Sequence, residues 1–124
     1  MSHTILIADD EPNIVISLEY LLKREGFNVL VARDGEEALD TITREQPHLV
    51  LLDVMMPKKT GLEVCQSVRA NAACNQVLIL MLTAKGRDTD ISKGLALGAN
   101  AYMIKPFSTK ELVQKVRALL ETGV

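Results

Sequence analysis

The stretch His48-Leu49-Val50-Leu51-Leu52-Asp53-Val54-Met55-Met56-Pro57 decides the fold. After His48, Leu49 to Leu52 form a short apolar run with no polar position to face water, as expected of a strand covered on both sides. It stops abruptly at a carboxylate. Four further runs of the same kind flank it: Thr4 to Ala8, Asn28 to Ala32, Val77 to Leu82 and Asn100 to Ile104. Helical patterns alternate with these runs, which predicts an α/β fold with a five-stranded, doubly wound parallel sheet and helices on both faces.

The helices carry their own boundaries. Pro12 suits a first turn and Gly26 a left-handed stop, with Ile14, Leu18, Leu21 and Leu22 expected on one stripe between them. A second helix starts after Asp34, with Glu37 as capping partner, buries Ala38, Leu39 and Ile42, and ends before Pro47. The pairs Thr60 with Glu63 and Ser108 with Glu111 repeat that start signal. The last helix is amphipathic through Leu112, Val113, Val116, Leu119 and Leu120. The fourth, about Asp88 to Leu97, is the weakest, because Gly94 interrupts it and few apolar positions repeat.

The 124 residues fit one domain, read as residues 1–124 and compatible with a stand-alone unit or one cut from a longer protein. A net charge of −2 offers no basic excess for direct nucleic-acid binding. No apolar run approaches the length of a membrane span, and no leader is read in Met1 to Thr4, so a cytoplasmic location without membrane contact is expected. Cys65 is read as core and Cys74 as loop, both as free thiols.

In an open parallel sheet, ligands bind at the carboxyl ends of the strands. Those ends bring Asp9 and Asp10, Asp53, Thr83 and Lys105 together. Taken singly, an acid pair before a helix complements its dipole, and a lone Lys is solvated. Three carboxylates on one rim, however, repel one another unless a hard divalent cation shares them. Mg²⁺ is the first candidate, with Mn²⁺ an alternative; Asp10 and Asp53 ligate directly, Asp9 acts through water, and the Met55 backbone carbonyl completes the shell. An aspartate can attack phosphorus to give an acyl phosphate, with Lys105 as point charge and the Thr83 hydroxyl and Ala84 N–H as donors.

Asp9-Asp10-Glu11, Leu52-Asp53-Val54-Met55-Met56-Pro57 with Gly61, Leu82-Thr83-Ala84, and Tyr102 followed by Lys105-Pro106-Phe107 resemble the motifs of response-regulator receiver domains of two-component signalling. The resemblance spans essentially the whole chain. It implies the flavodoxin-like strand order 2-1-3-4-5 and a cis Lys105-Pro106 peptide. It also implies a phosphohistidine donor, on a histidine kinase or histidine phosphotransfer protein, and a downstream effector domain or protein. Thr83 and Tyr102 would act as the switch to an output face of fourth helix, fifth strand and fifth helix. Such a domain is a regulatory phosphoacceptor, assisting its own phosphorylation and dephosphorylation, and not a turnover enzyme.

In this family the positions two after the phosphoacceptor and two after the switch Thr tune water's access to the acyl phosphate. Here they are Met55 and Lys85, apolar and cationic, which implies a long-lived phosphorylated state. Asn100 and Ala101 stand where members that pair through the output face often carry two acids, leaving the oligomeric state open. Pro12, Ile14, Pro57 and Phe107 are read as a donor-docking surface, and Lys58 and Lys59 as a solvated loop edge. An aspartate-nucleophile phosphatase would use the same chemistry, but generally needs a cap or a general acid where Met55 stands. An interaction module that no longer takes phosphate is the remaining alternative.

Overall fold

The computed structural model describes residues 3–123. Strands β1 (Thr4–Ala8), β2 (Asn28–Ala32), β3 (Leu49–Asp53), β4 (Leu78–Ala84) and β5 (Ala101–Lys105) alternate with helices α1 (Pro12–Arg24), α2 (Gly35–Glu45), α3 (Gly61–Ala70), α4 (Asp88–Ala96) and α5 (Thr109–Thr122). All pairings are parallel and the order is β2-β1-β3-β4-β5. This is the doubly wound, flavodoxin-like arrangement.

Successive strand residues feed opposite faces. Leu6, Ala8, Val50, Leu52, Ile79 and Met81 pack under α2 and α3, against Ala38, Ile42, Val64 and Val68. Ile5, Ile7, Leu49, Leu51, Leu80 and Leu82 pack under α1 and α5, against Val15, Leu18, Leu22, Leu112, Val116 and Leu119. Because β3 is buried on both faces from end to end, its sequence shows no alternation.

Three boundaries differ from the sequence reading, and all move toward the carboxyl ends. β3 begins at Leu49 and includes Asp53, β4 runs on through Thr83 and Ala84, and β5 begins at Ala101 and includes Lys105. The parallel ladder explains this: Asp53 pairs with Leu82, Thr83 with Ile104 and Ala84 with Lys105. The polar residues therefore close the strands and do not follow them.

The α1 stripe is present as expected and gains Val15 at its centre. Val15, Leu18 and Leu22 are buried, while Ile14 and Leu21 are only partly covered at its edges. In α2, Ala38 and Ile42 are buried and Leu39 is half-buried. The expected caps are present: Asp34 and Ser108 accept from the Glu37 and Glu111 N–H groups, and Thr60 with Glu63 forms a reciprocal capping box. Gly26 and Gly98 take the left-handed conformation that stops α1 and α4, at φ +94° and +111°. Helix α4 spans Asp88–Ala96, one residue shorter than expected, with Leu97 as its C-cap. Gly94 lies on its buried face; a Cβ there would stand 3.4 Å from Met81 Cγ and 3.7 Å from Leu62, an ordinary contact, so the packing of α4 does not itself demand a glycine.

Both cysteines are free. Cys74 lies in the α3–β4 loop as expected, but its side chain is buried, with Sγ 3.9 Å from the Val68 carbonyl it faces as donor. Among the described residues, no helix is long and apolar enough to cross a membrane.

Candidate functional site

The rim at the carboxyl ends of β1, β3, β4 and β5 gathers the residues expected from the sequence. Asp9, just past β1, is fully buried, and its two carboxylate oxygens are both engaged. One accepts the Glu11 N–H at 2.9 Å; the other accepts Lys105 Nζ at 2.7 Å. Asp10 beside it is exposed. Asp53 closes β3, is 6% exposed, and accepts the Met55 N–H at 3.4 Å. Asp9, Asp10 and Asp53 each offer an oxygen, and these lie within 4.8 Å of one another, close enough to share one cation. This acidic cluster is typical of the Mg²⁺ site of receiver domains, and its all-oxygen donor set suits a hard divalent ion.

The electrostatics follow from burial and like charge. Burial, then the neighbouring Asp9 charge, push the Asp53 carboxyl up from 3.8 to about 6. Asp10 adds to the rise, while the Lys105 ammonium and the Met55 N–H pull against it. Burial alone would lower the Lys105 pKa. The hydrogen bond to Asp9 and the charges of Asp53, Asp9 and Glu11 outweigh it, so the ammonium titrates above its usual range.

Lys105 Nζ lies 3.5 Å from Asp53 Oδ1 and 3.5 Å from Glu11 Oε1, so three carboxylates converge on one ammonium. Spacing alone gives Glu11 no part in this; only the return of β5 beside β4 brings residues 105 and 11 together. The Lys105–Pro106 peptide that follows is cis, as the family resemblance implies.

Thr83 is 1% exposed and its Oγ1 has no hydrogen-bond partner. A buried hydroxyl left without a partner costs free energy, so an orphan here marks a place where an acceptor belongs. Thr83 follows Leu82, the register partner of Asp53, and Ala84 ends β4 opposite Lys105. Tyr102 is 40% exposed and turned outward, in a groove lined by Leu95, Ile104, Phe107 and Lys115.

Two glycines hold the β3–α3 loop. A Cβ at Gly61 would come within 2.3 Å of the Asp53 carbonyl oxygen, and the Gly61 N–H donates to the Val54 carbonyl at 2.8 Å. A Cβ at Gly35 would come within 2.0 Å of the Lys59 carbonyl, and the Gly35 N–H donates to the Pro57 carbonyl at 3.1 Å. Sequence reasoning takes up Gly61 but not Gly35. The available signal is a glycine in the first helical position directly after the Asp34 cap, where helix propensity disfavours it. Lys58, at φ +70° and exposed, reaches Asp34 at 3.8 Å from the same loop. Ile14, Pro106, Phe107 and Glu11 line a cavity of about 560 Å³ between α1 and the Lys105–Pro106–Phe107 turn; Pro12 and Pro57 lie outside that lining.

Residues 5–117 match the sequence model of the response regulator receiver domain. The chain belongs to that family. As a receiver domain it is a regulatory phosphoacceptor of phosphorelay signalling and not a turnover enzyme. The alkaline phosphatase synthesis transcriptional regulatory protein PhoP of Bacillus subtilis (strain 168) is 48% identical over 120 residues, covering 97% of this chain and 49% of that protein. The chain thus spans about half the length of this curated relative. Among solved structures, a Chloroflexus aurantiacus J-10-fl protein assigned as a response regulator superposes with a TM-score of 0.92 at 38% identity, covering 98% of this chain and 99% of that one. The chemotaxis response regulator CheY4 of Vibrio cholerae gives 0.90 at 29% identity, covering 96% and 99%.

Proposed function

We infer that the receiver domain takes its phosphoryl group on Asp53, from a phosphohistidine on a histidine kinase or histidine phosphotransfer protein. The observation that carries this assignment is the Thr83 hydroxyl, buried without a partner one residue past the register partner of Asp53, the only rim carboxylate among the described residues whose pKa is pushed up. Asp53 supplies an oxygen lone pair; the O–P bond forms as the donor's P–N bond breaks, and the imidazole leaves with that electron pair and takes a proton from water. Lys105, the Thr83 hydroxyl and the Ala84 N–H stabilise the phosphoryl oxygens. Asp10 and Asp53 would hold Mg²⁺ or Mn²⁺ directly, with Asp9 through water and the Met55 backbone carbonyl as a further ligand. The cation supplies charge neutralisation for the phosphoryl group and the acidic rim.

A phosphoryl group adds about two negative charges and strong acceptors. Its capture of the Thr83 hydroxyl frees space for Tyr102 to turn inward, altering the face of α4, β5 and α5 that meets a downstream effector domain or protein. On this reading residues 1–124 form one receiver unit, acting in the cytoplasm without contacting nucleic acid itself, and Pro12, Ile14, Pro57 and Phe107 contribute to donor docking. Met55 is exposed and Lys85 cannot accept a proton while charged, so attacking water lacks a base and the acyl phosphate is long-lived.

Intact-mass measurement after incubation with acetyl phosphate and Mg²⁺ tests the assignment. The wild type gains one phosphoryl mass, which then decays over minutes and not seconds, and Asp53→Asn gains none. Uptake by Asp53→Asn would move the acceptor elsewhere.

A further inference from the structure

Of the three carboxylates around Lys105, two are built in and one is not. Asp9 and Asp53 are 0% and 8% exposed at their side chains, whereas Glu11 is 60% exposed. The Glu11 backbone is nevertheless fixed: its N–H donates to Asp9 and its carbonyl accepts the Val15 N–H at 3.1 Å. It is the N-cap of α1 but makes no side-chain capping bond, so its carboxylate is free to face Lys105. It also lines the cavity between α1 and the Lys105–Pro106–Phe107 turn. An incoming phosphoryl group must draw Lys105 toward itself, and it meets the Glu11 charge as it arrives.

We propose that Glu11 is a positioning residue that shares the Lys105 ammonium at rest and sets which donor charge the site admits. It disfavours small, doubly charged acyl phosphates relative to a phosphoryl group carried with less negative charge on nitrogen. The proposal rests on Asp53 as acceptor. The attraction between Glu11 and Lys105 is released when Lys105 turns to the phosphoryl oxygens, so Glu11 opposes entry and capture of a dianion through its charge alone. An exposed pair of this kind acts weakly and is screened by salt, which fixes both the size of the effect and its signature.

Initial rates of Asp53 phosphorylation, measured against donor concentration, test this with two small donors. Acetyl phosphate is a dianion at neutral pH; its P–O bond breaks and acetate leaves as the anion. Phosphoramidate is a monoanion; its P–N bond breaks and ammonia leaves from the already protonated nitrogen. Glu11→Gln should lower the half-saturating concentration of acetyl phosphate about two- to fivefold, the size expected for one exposed charge in a high-dielectric setting. The maximal rate should stay unchanged, the effect should be smaller with phosphoramidate, and it should fade in high salt. Glu11→Asp should behave as wild type.

A change in Glu11→Gln that is equal for both donors, insensitive to salt, or confined to the melting temperature would overturn the proposal, since complementing the α1 dipole would then be the whole role of the charge. No change at all would overturn it too. Asp53→Asn run alongside separates the two readings: label on that variant sinks the acceptor assignment, while an unlabelled Asp53→Asn with an unaltered Glu11→Gln sinks only the role of Glu11.

Discussion

The two ends of the same sheet treat polar groups in opposite ways. At the amino end the Arg69 guanidinium donates to the carbonyls of Gly98, Asn75 and Val77 and to Asn100 Oδ1, each at 2.8 Å. Asn100 Oδ1 also accepts the Ile79 N–H, and its amide donates to the Gly123 carbonyl at 3.3 Å. One guanidinium thereby joins α3, the α3–β4 loop, the α4–β5 turn and, through Asn100, the end of α5. At the carboxyl end three carboxylates crowd one ammonium, and a buried hydroxyl stands alone. Satisfied groups fix the frame; frustrated ones mark where chemistry enters.

Substitutions at the two ends should therefore have opposite signs, and urea unfolding without divalent cations reads each. The largest effect belongs to Arg69→Met, which strands several acceptors and should cost about 3 kcal/mol. Phosphoryl uptake per folded molecule should stay unchanged. A loss below about 1 kcal/mol would show that water replaces the guanidinium, and the contrast would lose its anchored half.

Asp53→Asn should instead stabilise the protein, by about 1–3 kcal/mol at pH 7. The folded carboxyl titrates near 6 and the unfolded one near 3.8, so between these values the folded state holds the extra proton. Wild-type stability accordingly falls as pH rises through that window, the penalty is complete above about pH 6, and the advantage of the asparagine vanishes below about pH 4. An advantage that persists at low pH would trace to something other than charge. Smallest is Thr83→Val, which removes the orphan hydroxyl at nearly constant shape and should gain about 1 kcal/mol. Destabilisation by this change would reveal a partner for Oγ1.

Much of the rim was legible because its residues contradict their surroundings. Asp53 and Lys105 each interrupt an apolar run, and an acid pair follows another, so residue type alone marks them. Caps were equally legible, since Asp34, Thr60 and Ser108 act on residues three positions away. Partners set by tertiary approach were not. Glu11 meets Lys105 across 94 positions of sequence, Arg69 reaches Gly98 across 29, and Gly35 is needed only because Lys59 passes over it. The strand ends were read short because the ladder, not hydropathy, extends β3, β4 and β5 to Asp53, Ala84 and Lys105. Val15, Leu18 and Leu22 in α1 follow the ordinary i, i+3, i+7 spacing, so the centre of that stripe is legible in the sequence once Val15 is counted with it.

Gly98 fixes where α4 ends. It takes φ +111°, its carbonyl accepts Arg69 Nε at 2.8 Å, and a Cβ there would meet Arg69 Cγ at 2.8 Å. Along the helix itself the packing is looser: Gly94 is buried against Met81, and a Cβ at that position would make only an ordinary contact, 3.4 Å from Met81 Cγ. The carboxyl end of α4 is thus riveted to α3 through one guanidinium, so a displacement of the helix has this end as its pivot.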